Sequence, residues 1–283
     1  MAGSVSALDF EPLGDALGVE VRGLDLSGAI DPGDRERLLR AYDDHHLLFL
    51  RCPDLPGDAQ LRFAEIFGPL FDERPGKFLQ YVSNVRDDRI IDEGALLFHS
   101  DLAFTPKPTL GLSLFAVEVP STGAETSFAN AVRAWSRLPG ALRERLEGLH
   151  ARHLFDLTSQ RGDRPYRDGE LPAREPRSQH PVCLRDPRSG LEILYVSRMQ
   201  TDRILELSEP ESDVLLEELF AELYALDNVY EHRWEQGDLL VWNNLTLQHA
   251  RPEMPEVEAR TLRRVTLATE GVVSQVEGFS HAR

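Results

Sequence analysis

Phe98-His99-Ser100-Asp101 is the stretch of this chain whose residue types could do chemistry. In an extended strand, side chains at i and i+2 point to the same face. His99 and Asp101 are therefore expected to aim an imidazole nitrogen and a carboxylate at a common point. That is two-thirds of the two-His-one-carboxylate set that holds non-haem Fe(II) on one face and leaves positions open. With 9 histidines among 283 residues, an H-x-D tripeptide also arises by chance as a solvated loop pair. The metal reading therefore needs a second histidine and a co-substrate anchor.

Downstream, Trp242-Asn243-Asn244-Leu245-Thr246-Leu247-Gln248-His249 follows a strand-like Asp238 to Trp242. Eleven residues after His249 comes Arg260, and four after that Arg264. In an extended strand Arg260, Leu262 and Arg264 share one face. Two guanidiniums then project into the interior that receives His99, Asp101 and His249. An arginine inside a barrel needs an anionic partner, because an unpaired buried charge is strongly unfavourable. Three arrangements satisfy it: a bound carboxylate, sulfonate or phosphate; an internal acid such as Asp238 or Glu231; or a strand that faces solvent.

The elements that must position these residues follow from patterning. Residues 17 to 26 alternate apolar and polar and predict a strand. Asp31-Pro32 predicts a helix start, with Leu38, Leu39 and Tyr42 inward. His46 to Leu50 reads as a buried strand, and Asp58 to Phe67 as a helix that Gly68 stops. Strands are expected near Phe78 to Val82, Leu110 to Val119 and Thr126 to Ala129, after which Asn130 caps a helix that Pro139-Gly140 interrupts and Ala141 to Leu149 resumes. Residues 70–97 and 156–180 lack regular patterning and read as loop or lid insertions. Val182 to Leu184 and Leu191 to Val196 form a predicted hairpin. Ser208-Glu209-Pro210-Glu211 is a capping box that opens a helix with Val214, Leu215, Leu219, Leu223 and Tyr224 apolar. Tyr230 to Trp234, Asp238 to Trp242 and Arg260 to Ala268 read as strands. Strands in runs, with helices at the ends, favour an antiparallel sandwich or barrel decorated by helices.

Composition bounds the function. A net charge of -17 argues against nucleic acid and anionic membrane partners, though a few buried arginines can still set a pocket's local potential. The longest apolar runs, such as Leu47-Leu48-Phe49-Leu50, are far shorter than the roughly 20 residues of a spanning helix, and the first residues carry no secretory pattern. The 2 cysteines, Cys52 and Cys183, cannot make a disulfide framework and read as reduced thiols. A cytoplasmic protein of one domain, residues 1–283, is the expectation, either alone or as a homo-oligomer (dimer or tetramer).

Taken together, these motifs resemble the taurine-dioxygenase-like (TauD/TfdA) family of Fe(II)/2-oxoglutarate-dependent oxygenases. The likeness covers nearly the whole chain. It runs through Gly18-Val19-Glu20-Val21-Arg22-Gly23-Leu24-Asp25-Leu26, the H-x-D motif, the segment Pro120 to Asn130, and the closing series Trp242, His249, Arg260 and Arg264. The resemblance implies a mainly β double-stranded β-helix (a jelly roll, cupin-like) with peripheral helices. It implies His99, Asp101 and His249 as iron ligands and catalytic centre. Thr126 and Arg260 would bind 2-oxoglutarate, Arg260 clamping the distal carboxylate bidentately. Arg264 would meet either an anionic substrate or the co-substrate. With O2, this set implies oxidative decarboxylation to succinate and CO2, coupled to hydroxylation of a small molecule.

Departures from the family bear on substrate. Asn243 stands where an acid usually follows the tryptophan, and Gly94 to Leu97 carries no polar side chain where taurine oxygenases have an asparagine. The Phe71 to Gly76 loop lacks their taurine-contacting histidine and tyrosine. Taurine is therefore expected to be a poor substrate. Leu96, Leu97 and Phe104 suggest a larger, partly apolar molecule that carries an acid. Desaturation, ring formation or decarboxylation are alternative outcomes in the same family. A non-catalytic jelly-roll binding protein is a different class, and a Zn hydrolase on the same ligands leaves Arg260 and Thr126 unexplained.

Overall fold

The computed structural model describes residues 8–72, 76–89, 95–122, 125–155, 167–253 and 258–268. Eight strands form a larger sheet, in the order Asp9–Pro12, Val19–Arg22, Leu47–Arg51, Asp238–Asn243, Gly111–Glu118, Thr261–Leu267 and Leu70–Phe71, with Gln80–Ser83 also paired to Thr261–Leu267. Four more form a smaller sheet, ordered Val229–His232, Thr126–Asn130, Leu247–Arg251, Leu96–His99. Pairing within both is antiparallel apart from Val19–Arg22 beside Leu47–Arg51.

Alternate residues of the same strands fill two different layers. Leu112, Leu114, Leu240, Trp242 and Leu262 from the larger sheet pack against Phe128 and Leu247 of the smaller one. Their neighbours Leu48, Leu50, Leu239, Val241 and Val265 face outward, onto the helices Pro32–His45 and Gly57–Ala64 through Leu38, Tyr42 and Phe63. Burial on both faces is why these strands read as continuous apolar runs rather than alternating ones. This is the mainly β jelly roll expected, with its helices peripheral. A further layer gathers Trp135, Ile193, Leu194, Leu215, Leu219 and Leu223 around the Glu209–Leu223 helix.

Local signals translate directly. Asp31 Oδ1 accepts from the Gly33 N–H at 2.8 Å and opens the first helix. That helix ends on His46, whose φ of 66° is left-handed. Asn130 Oδ1 accepts from Val132 and Arg133 N–H at 3.1 and 2.9 Å, and Glu211 reaches back to the Ser208 N–H at 3.1 Å.

Three expectations change. The strand read over residues 17 to 26 is confined to Val19–Arg22. The irregular insertion read over 156–180 is partly regular: 156–166 lie outside the described residues, but Arg177–Pro181 is a strand paired with His150–Leu154. Its charges are paired within the fold rather than solvated: Asp168 with Arg177 at 3.1 Å and with Arg152 at 2.8 Å, the latter also paired with Asp202 at 2.7 Å. Val214, expected on the apolar stripe of the Glu209–Leu223 helix, is 72% exposed; Leu216 and Phe220 take the inward positions beside Leu215 and Leu219. Among the described residues, no helix is long and apolar enough to cross a membrane.

Candidate metal centre

The smaller sheet sets the two histidines side by side. The strands Leu96–His99 and Leu247–Arg251 are neighbours, with His249 directly opposite His99, and the ring centroids lie 4.2 Å apart. Asp101 arrives differently from the expectation. The strand ends at His99, and Asp101 sits in a turn followed by Leu102 in the left-handed region (φ 59°). Common strand-face geometry therefore does not aim the carboxylate. Asn244 does: its Oδ1 accepts from the Asp101 N–H at 2.9 Å, while its Nδ2 donates to the carbonyls of Asp101 at 3.0 Å and Thr109 at 2.8 Å. The asparagine pair before His249 reads in sequence only as a turn, so this clamp was missed. Asn243 has another task, accepting from Leu245 and Thr246 N–H and reaching toward Asp186.

The three donors converge. Nε2 of His99 lies 3.2 Å from Asp101 Oδ1, and Nε2 of His249 lies 3.7 Å from the same oxygen. One ligand atom from each residue falls within 4.8 Å of the others. Neighbouring donors about 2.1 Å from an octahedral divalent ion stand about 3 Å apart, so the spacing fits. The hydrogen bonding fits as well. The His99 ring, through Nδ1, lies 2.8 Å from the Leu97 carbonyl. A carbonyl can only accept, so Nδ1 carries a proton and Nε2 is the nitrogen left to present a lone pair. Two lone pairs at 3.2 Å repel unless a cation or proton lies between them.

Electrostatics also favour an ionised Asp101 beside a neutral His249. Burial pushes the Asp101 carboxyl up, but the Arg264 guanidinium outweighs it and holds it well below the usual carboxylate range. Arg264 Nη2 donates to Asp101 Oδ2 at 2.8 Å. Burial, together with the neighbouring His99, lowers His249 to about 3. Both preconditions of metal ligation, a deprotonated acid and a neutral imidazole, are therefore met.

A cavity of about 470 Å³ opens beside these donors. Thr126, Arg251, Arg260 and Arg264 supply its polar lining and Val82, Leu96, Leu112, Leu114 and Leu262 much of its apolar wall. Arg260, Leu262 and Arg264 thus share one face, as their spacing requires. Arg264 pairs with Asp101 at 2.8 Å, while Asp238 pairs with Arg51 at 2.9 Å and His232 at 3.0 Å, and Glu231 with Arg233 at 3.4 Å. Arg260 is 2% exposed; burial, and then the proximity of Arg251, lowers its pKa. Arg251, two residues beyond His249, is a functional candidate missed in sequence, although i+2 spacing on the same strand face was a readable signal. The Trp242 indole N–H and His249 Nδ1 are buried without a hydrogen-bond partner among the described residues. Of the three apolar residues expected near substrate, Leu96 lines the cavity; Phe104 instead stacks on Phe155, with centroids 4.4 Å apart.

The family model for "Taurine catabolism dioxygenase TauD, TfdA family" matches residues 9–266. Pentalenolactone F synthase of Streptomyces avermitilis is 31% identical over 278 residues, covering 89% of this chain and 91% of that protein. The alpha-ketoglutarate-dependent 2,4-dichlorophenoxyacetate dioxygenase of Cupriavidus pinatubonensis is 30% identical over 284 residues, covering 93% and 98%. Among solved structures, AAD-2 in complex with Mn(II) and N-oxalylglycine superposes with a TM-score of 0.77 at 26% identity, covering 93% of this chain and 97% of that one. A putative alpha-ketoglutarate-dependent taurine dioxygenase from Burkholderia xenovorans shares the fold at TM-score 0.77 and 23% identity, each chain 93% covered.

Proposed function

Because this chain belongs to the TauD/TfdA family and is an Fe(II)- and 2-oxoglutarate-dependent dioxygenase, we propose that it hydroxylates a small, partly apolar molecule bearing an acid group, with His99, Asp101 and His249 holding the metal. The observation that carries the ligand assignment is the convergence of His99 Nε2, Asp101 Oδ1 and His249 Nε2 beside an arginine-lined cavity. When bound, iron supplies O2 activation coupled to the oxidative decarboxylation of 2-oxoglutarate to succinate and CO2.

The protein's own residues provide placement and a dry pocket. His99, Asp101 and His249 would hold the iron from one side, which would leave the cavity side for co-substrate and O2. Arg264 holds the outer oxygen of Asp101, so the inner oxygen stays turned toward the imidazoles. Arg260, buried in the cavity, pairs bidentately with the distal carboxylate of 2-oxoglutarate. Thr126 donates its hydroxyl to the same co-substrate. Leu96, Leu114 and Leu262 exclude water from the reacting region. An Asp at position 101, rather than a small residue that would leave room for halide, favours hydroxylation over halogenation.

The substrate class rests on the cavity's mixture of apolar wall and guanidinium groups. It also agrees with a relative named for 2,4-dichlorophenoxyacetate, an aryl group carrying a carboxylate. Residues 1–283 are read as one dioxygenase domain, with loop insertions near 70–97 and 156–180 confined to the stretches between the strands Leu70–Phe71, Gln80–Ser83, Leu96–His99 and Arg177–Pro181. The test is a screen for substrate-dependent succinate release across aryl and alkyl carboxylates, sulfonates and sulfate esters. Turnover is expected with acids that carry an apolar body and little with taurine. Robust taurine turnover, with apolar acids inert, contradicts the reading.

A further inference from the structure

Thr126 and Trp234 form a pair that sequence did not connect. The Trp234 indole N–H donates to Thr126 Oγ1 at 2.9 Å, and both side chains are buried, at 5% and 4% exposure. An indole nitrogen can only donate, so the hydroxyl oxygen must be the acceptor. Its own hydrogen is left to donate, and among the described residues it finds no protein acceptor. Thr126 lines the cavity that holds His99, Asp101 and His249. A free hydroxyl rotates and can accept or donate; one whose oxygen is already engaged is biased toward donation.

The indole is itself held. His232 lies opposite Thr126 in the strand pairing, and its ring meets Trp234 edge-on at 4.7 Å and 83°. His232 Nε2 lies 3.0 Å from Asp238 Oδ2, an acid with no exposed surface that also accepts from the Glu235 N–H at 2.8 Å and Arg51 Nη1 at 2.9 Å. These contacts leave the ring few alternative orientations. From this chain of contacts we infer that Trp234 is a positioning residue for 2-oxoglutarate. It acts through Thr126 by committing that hydroxyl to donate to a co-substrate carboxylate, and the Asp238–His232 pair fixes the indole that does so. The inference rests on the assignment of Thr126 to the co-substrate.

The experiment is a double-mutant cycle on 2-oxoglutarate affinity in the anaerobic Fe(II)-loaded protein, read from the visible absorption of the complex rather than from turnover. Trp234→Phe removes the N–H and keeps an aromatic ring; it is expected to weaken 2-oxoglutarate binding about tenfold, as a hydrogen bond to a charged ligand would, with Fe(II) affinity unchanged. Thr126→Val should weaken it at least as much, and Trp234→Phe added to Thr126→Val should change it less than twofold. Benzothienylalanine at position 234, an isostere lacking only the N–H, separates hydrogen-bond loss from a packing defect and should reproduce the Trp234→Phe result. An unchanged affinity with the isostere, or a full tenfold loss from Trp234→Phe on the Thr126→Val background, overturns the role of Trp234. If Thr126→Val itself leaves affinity intact, the Thr126 assignment fails and takes this inference with it.

Discussion

At the scale of single residues, the site is a small set of groups whose protonation and pairing are dictated by their neighbours. Arg260 illustrates the energetics. Removing one partner of a buried charge pair costs about 3–5 kcal/mol, so Arg260→Ala should raise the 2-oxoglutarate dissociation constant by about a hundredfold or more while leaving Fe(II) binding intact. Titrating metal and co-substrate separately checks this, and unchanged co-substrate affinity would remove Arg260 from the role. Asn244 tests a different link. Its three hydrogen bonds hold the turn that presents Asp101. Loss of an outer support of this kind typically weakens metal affinity about 10- to 100-fold. Asn244→Ala should therefore lose metal affinity, with the drop visible by direct metal titration even without co-substrate; wild-type affinity in that variant would mean that Asn244 does not set the position of Asp101. Legibility at this scale divides along chemistry. His99, Asp101, His249, Arg260 and Arg264 could be picked out as candidates because ligation and carboxylate binding demand specific side chains at matching spacings; Thr126 was a candidate only through the family resemblance. Asn244 and Trp234 could not, because their partners lie 143 and 108 positions away and a supporting hydrogen bond has no local pattern.

At the scale of elements, the strands were legible where burial sets a pattern and illegible where pairing substitutes for one. Gly111–Glu118 and Asp238–Asn243, apolar on both faces, announce themselves. Arg177–Pro181 does not, since its stability comes from backbone pairing and ion pairs rather than apolar side chains. The turn before Asp238–Asn243 makes a sharp prediction. Gly237 has φ of 90°, and a Cβ there would come within 2.9 Å of Pro53 Cα. Gly237→Ala combines a left-handed backbone with a contact against backbone that cannot give way, and should destabilise the fold by about 1–3 kcal/mol. Urea denaturation at neutral pH measures it, and an unchanged midpoint would show that the turn relaxes freely.

At the scale of the whole molecule, the fold buries histidines in their neutral form, and acid should work against it. His46 caps the first helix at 6% exposure, and burial lowers it from 6.5 to about 4. Burial also lowers His153 and His180. The folded state then binds fewer protons than the unfolded chain between these values, so stability rises with pH across that window. The contribution is complete above about pH 6.5 and is lost as pH falls toward 4. For His46 alone it is on the order of 3 kcal/mol, at about 1.4 kcal/mol per pH unit. His46→Asn keeps a residue that tolerates the left-handed cap and should flatten the decline in urea midpoint between pH 6.5 and 4.5. An unaltered slope would show that His46 is not among the groups responsible. The architecture as a whole was legible because the motifs lie in a fixed order along nearly the entire chain; the substrate was not, because cavity walls drawn from Val82, Leu96, Leu112 and Leu262 share no local motif.

The most direct test of the central claim is an anaerobic titration of the purified protein with Fe(II) and 2-oxoglutarate, followed in the visible. A weak metal-to-ligand charge-transfer band should appear only when both are present. It should be absent in Asp101→Ala and His99→Ala, which no longer hold the metal, and should need far more 2-oxoglutarate in Arg260→Ala. A well-folded protein that binds Fe(II) and 2-oxoglutarate without developing the band, or one whose band survives Asp101→Ala unchanged, would contradict the assignment of His99, Asp101 and His249 as the iron site.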